Sequence, residues 1–356
     1  QCGVYCCDNS SYITISNCVI TGNLWGIFCD SEQCGGCFNI TISNCMIAKG
    51  GYGVYCRRWS NITISNCAVN ENSYCGVYYC VCSNIMIMDC MIAENSYIGI
   101  YCGDCSYATI VGNTFIHNGI FLEGIKLAHY TSHTIENNTV NGKPLYYVVN
   151  TTGYIVPSDA GQVIIANSSH ITLKYLNLSH TDVGLEIAYS NDIDVSGCTI
   201  TGNYYGVYCR GCFNTEIHHC NIYSNTKHGL INYGSMVKYK INATYCWWGS
   251  PDGPEYKEEG DPNDPEEIWS EVWGNIIYEP WLIEPVELVP PFVEIIAPEE
   301  GSYVGGTIII RTNASDNVAI DKVEFYVDGT LVYTDYEAPY ECEWDTTGWP
   351  DGMYIV

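Results

Sequence analysis

The chain has 356 residues, with 40 Asp and Glu against 13 Lys and Arg, for a formal net charge of −27. That balance excludes nucleic acid and anionic membrane surfaces as partners, since a phosphate-binding face needs clustered cations and the few here are scattered. Hydrophobic residues make up 47% of the chain, yet no apolar run approaches the ~20 residues of a membrane-spanning helix.

From the first residues onward two phrases alternate. Gly-Val-Tyr-Cys stands at 3–6, Gly-Ile-Phe-Cys at 26–29, Gly-Val-Tyr-Cys at 53–56, Gly-Ile-Tyr-Cys at 99–102 and Gly-Val-Tyr-Cys at 206–209. Ile-Thr-Ile-Ser-Asn-Cys stands at 13–18, 40–45 and 62–67, with variants at 85–90 and 193–198. Equivalent cysteines mostly recur every 22 to 27 residues. Self-similarity at this period means a solenoid. Each period holds two or three short stretches of alternating Ile, Val, Thr and Tyr between Gly, Asn and Ser, which read as strands and turns. One strand spacing per period gives a parallel β-helix.

The alternation places Ile13, Ile15, Cys18, Ile20, Asn23, Ile27 and Cys29 inward, and Thr14, Ser16 and Phe28 outward. Asn23, Asn72, Asn95, Asn118, Asn203 and Asn225 are expected to stack at one turn as an amide ladder. Tyr5, Tyr55, Tyr78, Tyr101 and Tyr208 share one outward position and should form a column. Such a column suits a carbohydrate platform, an assembly interface, or plain β-propensity on an outer face.

These repeats resemble the right-handed parallel β-helix repeats of the pectin-lyase-like, carbohydrate-binding and sugar-hydrolase family, with Cys in place of one ladder Asn and of a Leu. Gly142 to Tyr147, Asp159 to Ile164 and Ala243 to Gly249 with Pro251 to Pro254 and Tyr278 to Trp281 resemble surface-layer and periplasmic members of it. The resemblance implies an all-β chain: a right-handed parallel β-helix over residues 1–245, then a tryptophan-rich end cap and acidic linker over 246–290. Alternating strands with an Asp-Gly turn follow, and residues 291–356 resemble a bacterial-type immunoglobulin-like sandwich that stops before its last strands. The first repeat likewise begins without a cap, so a segment of a longer polypeptide, or one completed by neighbouring copies, is expected.

Twenty-two cysteines point to an oxidising compartment. Three columns are expected: Cys6, Cys29, Cys56, Cys80, Cys102 and Cys209; Cys18, Cys45, Cys67, Cys90, Cys198 and Cys220; and Cys37, Cys82, Cys105 and Cys212. Stacked residues sit about 4.8 Å apart, inside the Cα window of a disulfide, so bridges between adjacent coils are expected, with buried free thiols as the alternative. Cys34–Cys37, Cys102–Cys105 and Cys209–Cys212 have zinc-like spacing, but the repeat explains that spacing without metal. Sequons at Asn9, Asn39, Asn61, Asn137, Asn150, Asn167, Asn177, Asn242 and Asn313 fit a secreted glycoprotein.

No cofactor is expected. The acidic run from Glu255 to Glu271 makes Glu258, Glu259, Asp261 and Asp264 weak candidates for structural calcium. Glycoside hydrolysis needs a carboxylate pair, and uronate elimination needs a calcium site with a cationic base. Neither is legible, and Asp192 with Asp194, and His218-His219 near Glu216, read as surface decoration. No enzymatic role is therefore expected. The leading expectation is an extracellular structural protein of a prokaryotic cell surface, an archaeal one among the candidates, assembling with identical subunits into a layer, sheath or filament. The alternative is a polysaccharide-binding or polysaccharide-degrading surface protein. A periplasmic metallochaperone, carrying copper or zinc, is a third class.

Overall fold

The computed structural model describes residues 1–6, 11–30, 38–58, 60–233, 240–255, 266–270, 275–287, 292–315, 320 and 322–356. Two compact units divide the chain, Gln1–Val286 and Glu287–Val356.

In the first unit each sequence period makes one coil of short parallel strands. Cys2–Cys6, Trp25–Asp30, Tyr52–Arg57, Cys75–Cys80, Ile98–Gly103 and Ile120–Glu123 stack as one sheet, which carries the Gly-Val-Tyr-Cys phrases. Ile13–Ser16, Phe38–Ser43, Ser60–Ser65, Ser83–Met88, Thr109–Val111 and Thr134–Glu136 stack as a second. The third begins with Val19–Thr21, Met46–Ala48, Ala68–Asn70, Met91–Ala93, Thr114–Ile116 and Thr139–Val140. Like residues meet like: Ile13 pairs with Ile40, Ile40 with Ile62 and Ile62 with Ile85, so the inner face is a column of β-branched side chains.

The corners explain the remaining letters of the repeat. Asn17, Asn44, Asn66 and Asp89 occupy one corner with φ of 52–53°, a left-handed conformation that Asn and Asp tolerate best among residues with a side chain. The glycine of Gly-Val-Tyr-Cys answers a different need, close approach. A Cβ on Gly26 would lie 2.5 Å from the Gly53 carbonyl oxygen, and one on Gly53 2.5 Å from that of Gly76. Buried amides ladder beside it, with Asn72 Nδ2 donating to Asn95 Oδ1 at 2.9 Å, Asn95 Nδ2 to Asn118 Oδ1 at 3.0 Å and Asn203 Nδ2 to Asn225 Oδ1 at 3.1 Å. Asn23 stands outside this ladder: its amide donates to Thr21 O, and Gly50 takes the next position.

The repeat is broken once. Lys143–Val149 pairs antiparallel with Thr139–Val140 and parallel with Gln162–Ala166. From there Gln162–Ala166, Val183–Ala188, Tyr205–Arg210, His228–Tyr233 and Glu266–Ser270 extend the third sheet to twelve strands. The phrase at 206–209 therefore continues the third sheet rather than the first, and the core divides into two clusters. At this seam both faces of Gln162–Ala166 and Val183–Ala188 are buried. Side chains stitch the free edge of Ile120–Glu123 across it. Gln162 accepts from Ile120 N at 3.0 Å and donates to Ile120 O at 2.6 Å, and Glu186 Oε2 accepts from Leu122 N at 3.2 Å, while Asp182 Oδ2 reaches Gly99 N of the strand before it at 2.6 Å.

The nineteen described cysteines are free thiols, so the expected bridges are not found among them. Geometry gives the reason. Cys45, Cys67, Cys90, Cys198 and Cys220 each aim Sγ at the carbonyl two residues back, at 3.2–3.4 Å. Identical rotamers in register hold neighbouring sulfurs and Cβ atoms about one rung, 4.8 Å, apart, whereas a disulfide needs Cβ atoms about 3.5–4.5 Å apart and converging. The first column runs Cys6, Cys29, Cys56, then Tyr79 and Cys102. Cys80 is not in it, because Gly76-Val-Tyr-Tyr-Cys80 carries one residue more than its relatives and turns the cysteine outward beside Arg57. Cys82, Cys105 and Cys212 are buried as expected, and Cys37 lies outside the described residues.

In the second unit Phe292–Ala297, Thr307–Ser315 and Glu341–Asp345 form one antiparallel sheet, and Val323–Val327 with Thr330–Asp335 a hairpin. Ile310, Phe325, Val327, Cys342 and Trp344 fill the space between.

Candidate functional site

Outward residues of the first sheet stack ring on ring. Tyr5 lies 5.5 Å from Phe28, Phe28 5.2 Å from Tyr55, Tyr55 4.8 Å from Tyr78 and Tyr78 4.7 Å from Tyr101, all within 11° of parallel. Ring faces are thus spent on one another, and the stack offers its edges. Trp25 and Tyr52 stand edge-on beside it, at 5.2 Å from Phe28 and 5.4 Å from Tyr55. A second, more open row follows, Tyr74 stacking on Tyr52 at 5.2 Å and approaching Tyr97 at 5.9 Å. Tyr74 and Tyr97 remain 42% and 41% exposed.

At the seam the stack turns. Phe121 meets Tyr101 and Tyr208 edge-on, at 5.8 and 4.8 Å, and Tyr97 meets Tyr204 at 5.4 Å. Tyr208, expected in the open column, is buried here at 1% exposure, because its strand belongs to the other sheet. Two of the few cations sit on these rings: Lys227 Nζ lies 5.8 Å from both Tyr204 and Tyr205, and Arg210 Cζ 4.8 Å from Tyr233. Burial, and then the Glu123 carboxylate that accepts its hydroxyl at 2.6 Å, raise the Tyr101 phenol well above its usual range. The Tyr101 phenol is therefore a neutral hydrogen-bonding group on this aromatic face.

On another face, Asp194 and His218 meet. Asp194 Oδ1 lies 3.1 Å from His218 Nε2, Lys174 Nζ is 3.6 Å from Asp194 Oδ2, and His218 Nδ1 is 3.0 Å from His219 Nδ1. Asp194 also pairs in register with Glu216. Read along the sequence, these groups look isolated; a carboxylate and an imidazole 24 residues apart, about one period, was the signal that joins them. Asp192 stays apart, held below the usual carboxylate range by the amides of Asn214 and Asn191. A third feature is a cleft of about 200 Å³ at the seam, lined among others by His117, Asn141, Lys143 and His180, with Glu94 Oε1 2.9 Å from His117 Nδ1.

Among the sequons, Asn61, Asn137, Asn150, Asn167, Asn177 and Asn313 are exposed and Asn39 and Asn242 half-buried, while Asn9 lies outside the described residues. The calcium candidates Glu258, Glu259, Asp261 and Asp264 also lie outside them. No helix among the described residues is long and apolar enough to cross a membrane.

Coil stacking, inward β-branched columns and amide ladders agree with a family model described as the right handed beta helix region, matching residues 2–159 and 146–244. The chain belongs to this β-helix family. Residues 291–356 match the bacterial Ig domain, a module common in secreted and surface proteins. No curated protein matches the sequence. Among solved structures, this β-helix chain is similar to the A-module of the mannuronan C-5 epimerase AlgE6 of Azotobacter vinelandii. Identity is 14%, the TM-score 0.35, and 77% of this chain and 75% of that one are covered. The expectation that the chain has no enzymatic role is corrected here: membership of the β-helix family leaves enzymatic chemistry open, and an acid–base constellation illegible in the sequence does not exclude it.

Proposed function

We propose that this chain is an extracellular surface protein that binds polysaccharide along the aromatic face of its β-helix. The observation that carries the reading is the two-row aromatic surface, Tyr5 to Tyr101 beside Trp25, Tyr52, Tyr74 and Tyr97, continuing into the seam. Its rung of about 4.8 Å is close to the axial length of one sugar unit in an extended pyranose chain. Phenol edges supply hydrogen bonds, and the exposed rings of Tyr74 and Tyr97 supply stacking faces. A net charge of −27 repels polyanions, so uncharged polymers are the favoured class. A buried thiol such as Cys75, pushed up to about 12 by its burial, stays protonated and inert in such a compartment.

This reading is preferred to the layer, sheath or filament subunit expected from the sequence, which drew on disulfide columns not found among the described cysteines, together with sequons, acidity and the immunoglobulin-like module. The test is affinity electrophoresis of the full chain in gels containing glucan, mannan, xylan or polyuronates. Retardation by a neutral polymer is expected, and Tyr74→Ala with Tyr97→Ala should weaken it roughly tenfold, on the scale of about 1.4 kcal/mol. Retardation unchanged in the double variant, or seen with no polymer at all, overturns the reading.

A further inference from the structure

Asp194, His218 and His219 form a hydrogen-bonded chain that brings two imidazole nitrogens together at the surface. Asp194 Oδ1 accepts from His218 Nε2 at 3.1 Å, and Lys174 balances the carboxylate from 3.6 Å. Neutral His218 then carries its lone pair on Nδ1, since only one ring nitrogen keeps a proton. That lone pair faces Nδ1 of His219 at 3.0 Å, with the two rings at 88°. His219 sits at a left-handed corner, φ 51°, and stacks on Tyr245 at 5.6 Å and 9°, so its ring direction is set by the solenoid rather than by its neighbour.

We propose that His218 and His219 chelate a divalent late first-row cation through their two Nδ1 atoms, with Asp194 as the carboxylate that orients His218. Metal–imidazole bonds of about 2.0–2.1 Å place two nitrogens about 2.9 Å apart when they are cis at a right angle, and about 3.4 Å apart at a tetrahedral angle. The observed 3.0 Å matches the right angle, so tetragonal or octahedral ions such as copper(II) or nickel(II) fit better than tetrahedral zinc. A carboxylate on the far nitrogen of a ligating histidine is the arrangement that fixes tautomer and raises basicity. On binding, the proton of His219 moves from Nδ1 to Nε2 and none is lost from the neutral pair. Among the described residues no three His, Cys, Asp or Glu side chains converge on one point, so water completes the coordination. The site is open, with His218 36% and Asp194 38% exposed, and the acidic surface concentrates cations around it.

The experiment uses the full chain with its accessible thiols first blocked by iodoacetamide, titrated with copper(II) and followed by electron paramagnetic resonance and calorimetry. One ion per chain, with hyperfine coupling to two imidazole nitrogens, is expected. His219→Asn keeps a residue suited to the corner and should reduce the spectrum to one nitrogen or none, as should His218→Gln. Asp194→Asn should weaken binding by about 10–100-fold while leaving both nitrogens in the spectrum. Affinity and spectrum that are the same in His219→Asn and His218→Gln as in the unaltered chain, each folded by circular dichroism, would refute the chelate, as would absence of stoichiometric binding.

Discussion

Tyr79 occupies the thiol column between Cys56 and Cys102, has no exposed surface, and its hydroxyl has no hydrogen-bond partner. Desolvation there, followed by the surrounding thiols, drives its phenol far above the ordinary value, so the hydroxyl stays neutral and simply lacks company. An unsatisfied buried hydroxyl costs about 1–3 kcal/mol. Tyr79→Phe keeps the ring, deletes the oxygen, and should stabilise the β-helix by about that amount. For a unit of this size each kilocalorie moves the melting temperature by roughly 2 °C, so calorimetry should show a rise of roughly 2–6 °C. Tyr79→Cys restores the residue of the neighbouring coils but removes the ring, and by analogy with truncation of buried aromatics should cost about 3–5 kcal/mol. A lower melting temperature for Tyr79→Phe would show that the hydroxyl makes a native hydrogen bond and that the column is not the apolar stack described.

Asp182, wholly buried at the seam, has its carboxyl raised from 3.8 to about 7 by desolvation, partly offset by N–H groups from Gly99 and Asn118. A raised folded value means stability that is present below about pH 4 and lost as pH rises through about 7. Linkage puts the loss at about 4 kcal/mol, and burial raises Glu186 with the same sign. Urea midpoints should fall between pH 4 and pH 8, and a flat profile would contradict the assignment. Iodoacetamide on the native chain should label the half-exposed Cys2, Cys18 and Cys80 well before the buried Cys56, Cys102 and Cys209, read by mass spectrometry; equal rates would mean the columns are open. Gly53→Ala places a methyl 2.5 Å from the Gly76 carbonyl and should cost about 1–3 kcal/mol in thermal unfolding, whereas a neutral effect would mean that the coils can spread.

Period and alternation alone made the solenoid legible, because in a parallel in-register stack every coil meets the same environment and so repeats the same letters. Inward Ile and most of the Asn ladder could be read from their recurrence, whereas the close approach at Gly and the left-handed corner at Asn17, Asn44 and Asn66 came from the structure. Equal reasoning misplaced Cys80, since one inserted tyrosine shifts a period-2 pattern by one residue and turns a side chain to the other face. It also overestimated the disulfides: spacing along the axis is visible in the sequence, but whether two Cβ vectors converge is not.

The sequence by itself determined the parallel coils and the outward tyrosines of the first sheet. Only the tertiary structure decided what breaks the repetition. The reversal at Lys143–Val149 moves later coils into the continuation of a different sheet, which buries Tyr208 and sets Gln162, Asp182 and Glu186 against a strand edge. The meeting of Asp194, His218 and His219 is of the same kind. Their spacing of 24 residues, about one period, sets Asp194 and His218 on neighbouring coils, but only the structure shows the two imidazoles of His218 and His219 brought together there.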